Sequence, residues 1–296
     1  MNGTTTILNN TATISPRIPP PISWTQELGE LQIYYKDSLW SRGDGEPDQK
    51  YFVDIACGAT HTLVLDEMGR VRNWGNNSHG KLRLPSNLKP ACKVLCGWDS
   101  SFTLSRDGLI TGWGGINDLD LTRLRDLGEF VDFAISGSHL LALKQDGTVI
   151  AWGEDRLGEL NVPQNLKNVV GLGAGLGFSI ALLSDGSVVG WGENTWHQLD
   201  DLGSLKGIID LVPANQHSAF LDSSGRVFVR GEGKTIPPMP LPCVELFAKG
   251  PMGYAIDASG RIQSWGGKLV PPENWSEILR GGAGLYHIAV LKRLPR

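Results

Sequence analysis

The sequence predicts an all-β fold, a seven-bladed β-propeller closed by pairing N-terminal and C-terminal strands in one shared blade. Three observations predict it: a Trp-Gly motif recurs at one spacing, a strand–hairpin–strand segment precedes the copies, and the two end copies are complementary halves. Trp74 in "VRNWGNN" is followed by Trp113, Trp152 and Trp191, each 39 residues after the one before. Another step of 39 reaches Arg230 in "VFVRGEG", where Gly is kept and Trp is not. Trp265 follows after 35, and counting back 34 from Trp74 gives Trp40, so seven positions are equivalent.

The segments upstream of these motifs superpose without a gap, from "IACGATHTLVLDEMGR" through "FAISGSHLLALKQDGT" to "LFAKGPMGYAIDASGR". Each reads as a strand of period two. Leu63/Leu65, Phe102/Leu104, Leu141/Leu143, Ile180/Leu182, Tyr254/Ile256 and Ala289/Leu291 fill one phase, while Thr62, Ser101, Ser179, Ser218 and Gly253 hold the other. An Asp-Gly or Ser-Gly pair comes next, and its Gly accepts the positive φ of a tight hairpin. The strand after it ends at Trp-Gly.

A final copy, "GGAGLYHIAVL", stops without a hairpin or Trp, whereas the Trp40 motif has no upstream segment. Strands at about 278–291 and 31–40 are therefore expected to share a blade, which removes the exposed sheet edges. Four-stranded units of about 40 residues cannot bury their faces alone and stack around an axis. One propeller domain over 29–296 is expected, after a Thr/Asn-rich tail over 1–28 that holds too little apolar surface to order itself.

Composition narrows the function. A net charge of −4 gives no basic stripe for nucleic acid, and no apolar run approaches the ~20 residues of a membrane span. Cys57, Cys92, Cys96 and Cys243 lack the paired spacing of a zinc site. The first residues lack a basic start and an apolar core of a secretory signal, so reduced thiols and a cytoplasmic or nuclear setting are expected. Two Pro-rich pieces, 15–21 and 235–242, suit extended polyproline segments and read as linkers, with docking on an aromatic groove as the alternative.

The stretch "SGSHLLALKQDGTVIAWG" brings Ser, His and Asp together as a hydrolase would, but the repeat dissolves the triad. His139 occupies the slot of His61, His217 and His287, filled elsewhere by Ser100, Phe178 and Met252, and Asp146 is the hairpin residue. A general base used once would not be copied into four blades. Cys57 and Cys96 share another slot and read as small buried fillers. No catalytic residue, cofactor or metal is expected, and the chain reads as non-enzymatic.

The repeat "IACGATHTLVLDEMGRVRNWGNNSHGKL" resembles that of the regulator of chromosome condensation family, over about residues 30 to 291. That resemblance implies a seven-bladed propeller. Family functions include nucleotide exchange on the small GTPase Ran, ubiquitin-ligase modules, ultraviolet-B reception and β-lactamase inhibition. They also include the yeast α-tubulin suppressor, which partners a factor of diphthamide and tRNA modification. "CGWD" (Cys96 to Asp99) is similar to a second-unit segment of that suppressor and of the secretion-regulating exchange factor. These repeats carry no long wedge insertion, and only Trp98 stands in the Gly-Trp position of the ultraviolet receptor. The resemblance implies a protein-binding regulator of a Ran-type GTPase, acting by exchange or sequestration. The alternatives are an adaptor in a modification complex or a bacterial effector or inhibitor. The expected form is a monomer.

Recognition is placed where the units diverge. The hairpins are monotonous, whereas the inner-to-middle turns and the loops after Trp-Gly vary, and variable loops on a rigid scaffold are where binding concentrates. Trp98 and Trp196 are the aromatic anchors of that face. Asp99, Asp118, Asp120, Glu154, Asp155 and Glu193 make it acidic beside Arg156, which would steer a basic partner.

Overall fold

The computed structural model describes residues 29–35, 51–115, 127–232, 236, 239, 242–267 and 269–293. Trp40, Asp118, Asp120, the 1–28 tail and most of the 235–242 piece lie outside them. The chain starts with β1 (Gly29–Tyr35) and β2 (Tyr51–Phe52). The first complete blade is β3 (Asp54–Cys57), β4 (His61–Leu65) and β5 (Val71–Gly75), and the second is β6 (Ala91–Cys96), β7 (Ser100–Ser105) and β8 (Ile110–Gly114). The third is β9 (Asp132–Ile135), β10 (His139–Leu143) and β11 (Val149–Gly153), and the fourth is β12 (Val169–Ala174), β13 (Phe178–Leu183) and β14 (Val188–Gly192). The fifth is β15 (Ile208–Pro213), β16 (His217–Asp222) and β17 (Val227–Gly231); the sixth is β18 (Cys243–Lys249), β19 (Met252–Asp257) and β20 (Ile262–Trp265).

The seventh sheet joins both ends in the order β2–β1–β22–β21, with β21 at Ile278–Ala283 and β22 at His287–Arg293. β1 runs antiparallel to β22 through seven residue pairs, from Gly29 opposite Arg293 to Tyr35 opposite His287. Among the described residues the other six blades have three strands where the sequence reading gave four. The reason lies after Trp-Gly, where the backbone is satisfied locally. Leu82 N donates to Asn77 Oδ1 and Leu82 O accepts from Asn73 Nδ2, both at 2.9 Å, so no outer strand is needed there.

Both faces of the middle strands are buried, and the cores sit between blades. The large phase of one middle strand packs on the next blade: Leu63 and Leu65 face Val94 and Cys96, and Tyr254 and Ile256 face Ile288 and Val290. The last interface, Ala289 and Leu291 against Ile55, Cys57 and Val64, closes the ring. Hairpins tie the other end. Gly69, Gly186, Gly225 and Gly260, all at positive φ, each accept the N–H that opens the next inner strand, and Gly108, also at positive φ, accepts from Phe130 just before β9.

The repeated histidines are a second seam. Ser101 Oγ gives its only proton to Lys81 O (2.8 Å), so His61 Nε2, 3.1 Å away, donates to Ser101. The third and fourth blades repeat this with His139, Ser179 and Glu159 O. His287 Nε2 reaches Thr62 Oγ1 at 2.8 Å across the closing seam. Where a slot lacks its counterpart the atoms are left over. His217 faces Gly253 and Ser218 follows Phe178, and His217 Nε2 and Ser218 Oγ have no partner among the described residues. The triad reading is thus replaced by a hydrogen bond between blades.

Candidate interaction face

The inner-to-middle turns and the loops after Trp-Gly lie at one end because each loop opens with a bond to its own turn. Asn76 N donates to Thr60 O, Gly115 N to Asp99 O, Glu154 N to Ser138 O, Glu193 N to Gly177 O and Glu232 N to Gln216 O, at 2.8–3.0 Å. Three loops are pinned by a buried side chain. Glu159 Oε2 accepts from Leu157 N (2.7 Å), and Gln198 Oε1 accepts from Trp196 N (3.0 Å). Lys81, fully buried, instead sends its ammonium to Thr60 Oγ1, Ser78 Oγ and Asp99.

That placement settles what the acids on this face touch. Asp99 is the counter-ion of Lys81 and lies 3.9 Å from His79 Nδ1. Glu154 pairs with Arg156 at 2.8 Å, and Asp155 Oδ1 accepts from Leu160 N. Burial pushes the Glu193 carboxyl up, but hydrogen bonds from Thr195 and Gln198 outweigh it and hold the group below its ordinary value. Each of these carboxylates completes a loop. Arg230, in the fifth Trp slot, likewise ties back to Asp200 O and Ser204 Oγ of the preceding loop, at 3.1 Å each.

The apolar side chains are open. Trp98 is 37% exposed with its ring against Gly137, and Trp196 is 43% exposed. Leu157, Leu176 and Tyr286 join them on this end, three positions the sequence reading missed. Two had a signal, since Leu176 occupies the turn slot of Trp98 and Tyr286 that of Asp99.

The face surrounds the mouth of a central cavity of about 660 Å³ walled by the seven inner strands. Asp54, Lys93, Asp132, Asp210, Glu245 and Arg280 share one repeat slot, and all of them but Glu245 line the cavity as a charged ring. Lys93 pairs with Asp132, and Arg280 lies 3.9 Å from Asp54. Asp54 also accepts from Val94 N of the next blade, as Glu245 does from Gly281 N, both at 3.2 Å. Cys57 and Cys96 are buried in the walls, and burial pushes the Cys57 thiol up to about 12. Among the described residues no group of three or more His, Cys, Asp or Glu is placed to hold a metal, and no helix is long and apolar enough to cross a membrane.

Comparison with known proteins agrees with this architecture. The family model of the regulator of chromosome condensation (RCC1) repeat matches residues 52–81 and 169–198, so the chain carries repeats of that family. Prp20p from Saccharomyces cerevisiae has 18% identity and a TM-score of 0.71, over 92% of this chain and 93% of that one. Human WBSCR16 has 18% identity and a TM-score of 0.68, over 84% and 88% of the two chains. The ectodomain of the Physcomitrella patens receptor kinase CR4 has 17% identity and a TM-score of 0.65, over 82% and 72%. At these identities the likeness establishes the shared propeller fold. No curated protein matches the sequence.

Proposed function

We propose that this chain is a protein-binding propeller without chemistry of its own, which regulates a small GTPase by docking it on the loop face. The carrying observation is where the exposed aromatic side chains lie. Trp98, Trp196 and Tyr286 all project from that end, whereas the large apolar side chains exposed at the hairpin end, such as Met68, Ile209 and Val244, are aliphatic. Rigid aromatic anchors within a polar surround are the usual source of binding energy at a protein interface.

The GTPase reading draws on the repeat, whose family includes an exchange factor. It also draws on Prp20p, whose structure is described with its binding to Gsp1p and histones, and which has a second structure with Kap60 bound. Exchange and sequestration are the two modes proposed, in the cytoplasm or nucleus and with the chain as a monomer. The internal pairing of the acids shifts the weight from electrostatic steering to the apolar anchors.

The test is affinity capture with the wild type beside a Trp98→Ala/Trp196→Ala variant, followed by nucleotide release from any GTPase recovered. Asp99 is left intact so that the Lys81 loop stays folded. A GTPase held by the wild type and lost by the variant supports the proposal, and release separates exchange from sequestration. Equal capture by both baits moves the site off this face. Recovery of a modification-factor complex without a GTPase replaces the GTPase reading with an adaptor role.

A further inference from the structure

Six blades place a small residue where the inner strand passes into its turn: Gly58, Gly97, Ser136, Gly175, Ala214 and Gly284. The following side chain folds over that position. A Cβ on Gly58 would stand 2.0 Å from His61 Cε1, and one on Gly175 2.1 Å from the Phe178 ring. The sixth blade has Lys249 there, with Met252 in the covering slot. Lys249 lines the mouth of the central cavity with Trp98, Leu176 and Asn215. The next inner strand carries Gly281 and Gly282, with Gly284 just after it, and the Lys249 ammonium acts electrostatically beyond it on His61, Cys57, Cys96 and Asp99.

This cation has no acid within ion-pair distance among the described residues. Lys93 and Arg280 of the same cavity have their aspartates, and Asp99 is held by Lys81. The Lys249 side chain makes no hydrogen bond or ion pair among the described residues. An unpaired charge in an apolar setting is costly, and an anion entering the mouth would relieve that cost. One cation suits one negative charge. Asp54, Asp132 and Asp210 outnumber Lys93 and Arg280 deeper in the cavity, which disfavours a dianion such as phosphate. The rim of Trp98 and Leu176 suits an apolar body.

We propose that the mouth of the central cavity binds the carboxylate of a small apolar monoanion, with Lys249 as its counter-ion and Trp98 and Leu176 against its apolar part. The site stands independently of any protein partner.

The test is calorimetric titration of the full chain with phenylacetate and with phenylacetamide, which has the same shape without the charge. The wild type is expected to bind the acid at least about tenfold more tightly than the amide. Lys249→Gly, the residue of other blades, should abolish that preference, and Lys249→Arg should keep it. If the Gly variant loses its cooperative melt, Lys249→Met, which keeps the side-chain length, takes its place.

A pH series isolates the amine. The charged and titratable groups around it are His61, His287, Cys57, Cys96 and Asp99. Burial holds His61 and His287 neutral, with pKa values lowered to about 3 and about 4, and burial pushes both thiols up. Burial also lowers the Lys249 pKa from its ordinary 10.5, so phenylacetate affinity should fall with rising pH before that value is reached. Equal binding of acid and amide by the wild type, undiminished preference in Lys249→Gly or Lys249→Met, or no binding of phenylacetate by the wild type would overturn the proposal.

Discussion

Lowering the pH from 7.5 to 5.5 is expected to destabilise the propeller by an amount that follows from its four buried histidines. Burial lowers the His61 pKa to about 3 and those of His139, His217 and His287 to about 4. An unfolded chain returns each ring to about 6.5. Because the folded values lie below the unfolded one, the stabilisation is fully present above pH 6.5 and is lost as the pH falls. At pH 5.5 the unfolded rings are about nine-tenths protonated and the folded ones neutral, which favours unfolding by ~1.4 kcal/mol per ring. Four rings give roughly 5–6 kcal/mol, comparable to the whole stability of many domains. Asp107, Asp146, Asp185 and Asp222 have lowered values and add their own loss only below about pH 4. The assay is the urea midpoint by tryptophan fluorescence at pH 7.5, 6.5 and 5.5, with His139→Gln expected to remove about a quarter of the pH dependence. A midpoint that is flat or rises towards pH 5.5 would refute the reasoning, since the folded rings would then be taking up protons.

Two further substitutions probe the seams. Ser179→Ala removes the acceptor of His139 Nε2 and should cost about 1–3 kcal/mol, whereas Ser218→Ala, at a hydroxyl without a partner among the described residues, should stay within about 0.5 kcal/mol. Equal shifts in their urea midpoints would show that the hydroxyl bonds do not hold the blades together. Asp99→Ala strips the buried Lys81 ammonium of its counter-ion and should cost about 1–3 kcal/mol, moderated by the partial exposure of Asp99. Adding Lys81→Met should restore much of that loss in thermal melts, and a strictly additive double variant would contradict the pairing.

The blade count, the closing of the ring and the division into two ends are properties of a one-dimensional period. A unit too small to bury its faces must stack, and the incomplete "GGAGLYHIAVL" copy must find its complement. The histidine seam was legible in principle, because His61, His139 and His287 each precede a blade with Ser or Thr in the next slot, and His217 precedes Gly253. Slot counting distinguished framework from catalysis but could not supply the partner. The four-stranded blade was a transfer from the general architecture, and the loops after Trp-Gly satisfy their backbone without that strand.

Sequence alone determined that Trp98, Asp99, Glu154 and Glu193 stand on the variable end. Only the tertiary structure decided which of them is spent. Lys81 reaches Asp99 from the loop of the preceding blade, while Trp98 stays half open against Gly137. Lys249, an ordinary lysine in the sequence, has no paired acid among the described residues, and ring closure brings its charge to bear on Cys57, Cys96 and Asp99 of the first and second blades. Period fixes how many blades there are. Which charges cancel depends on the distances between side chains of different blades, and those exist only once the ring is closed.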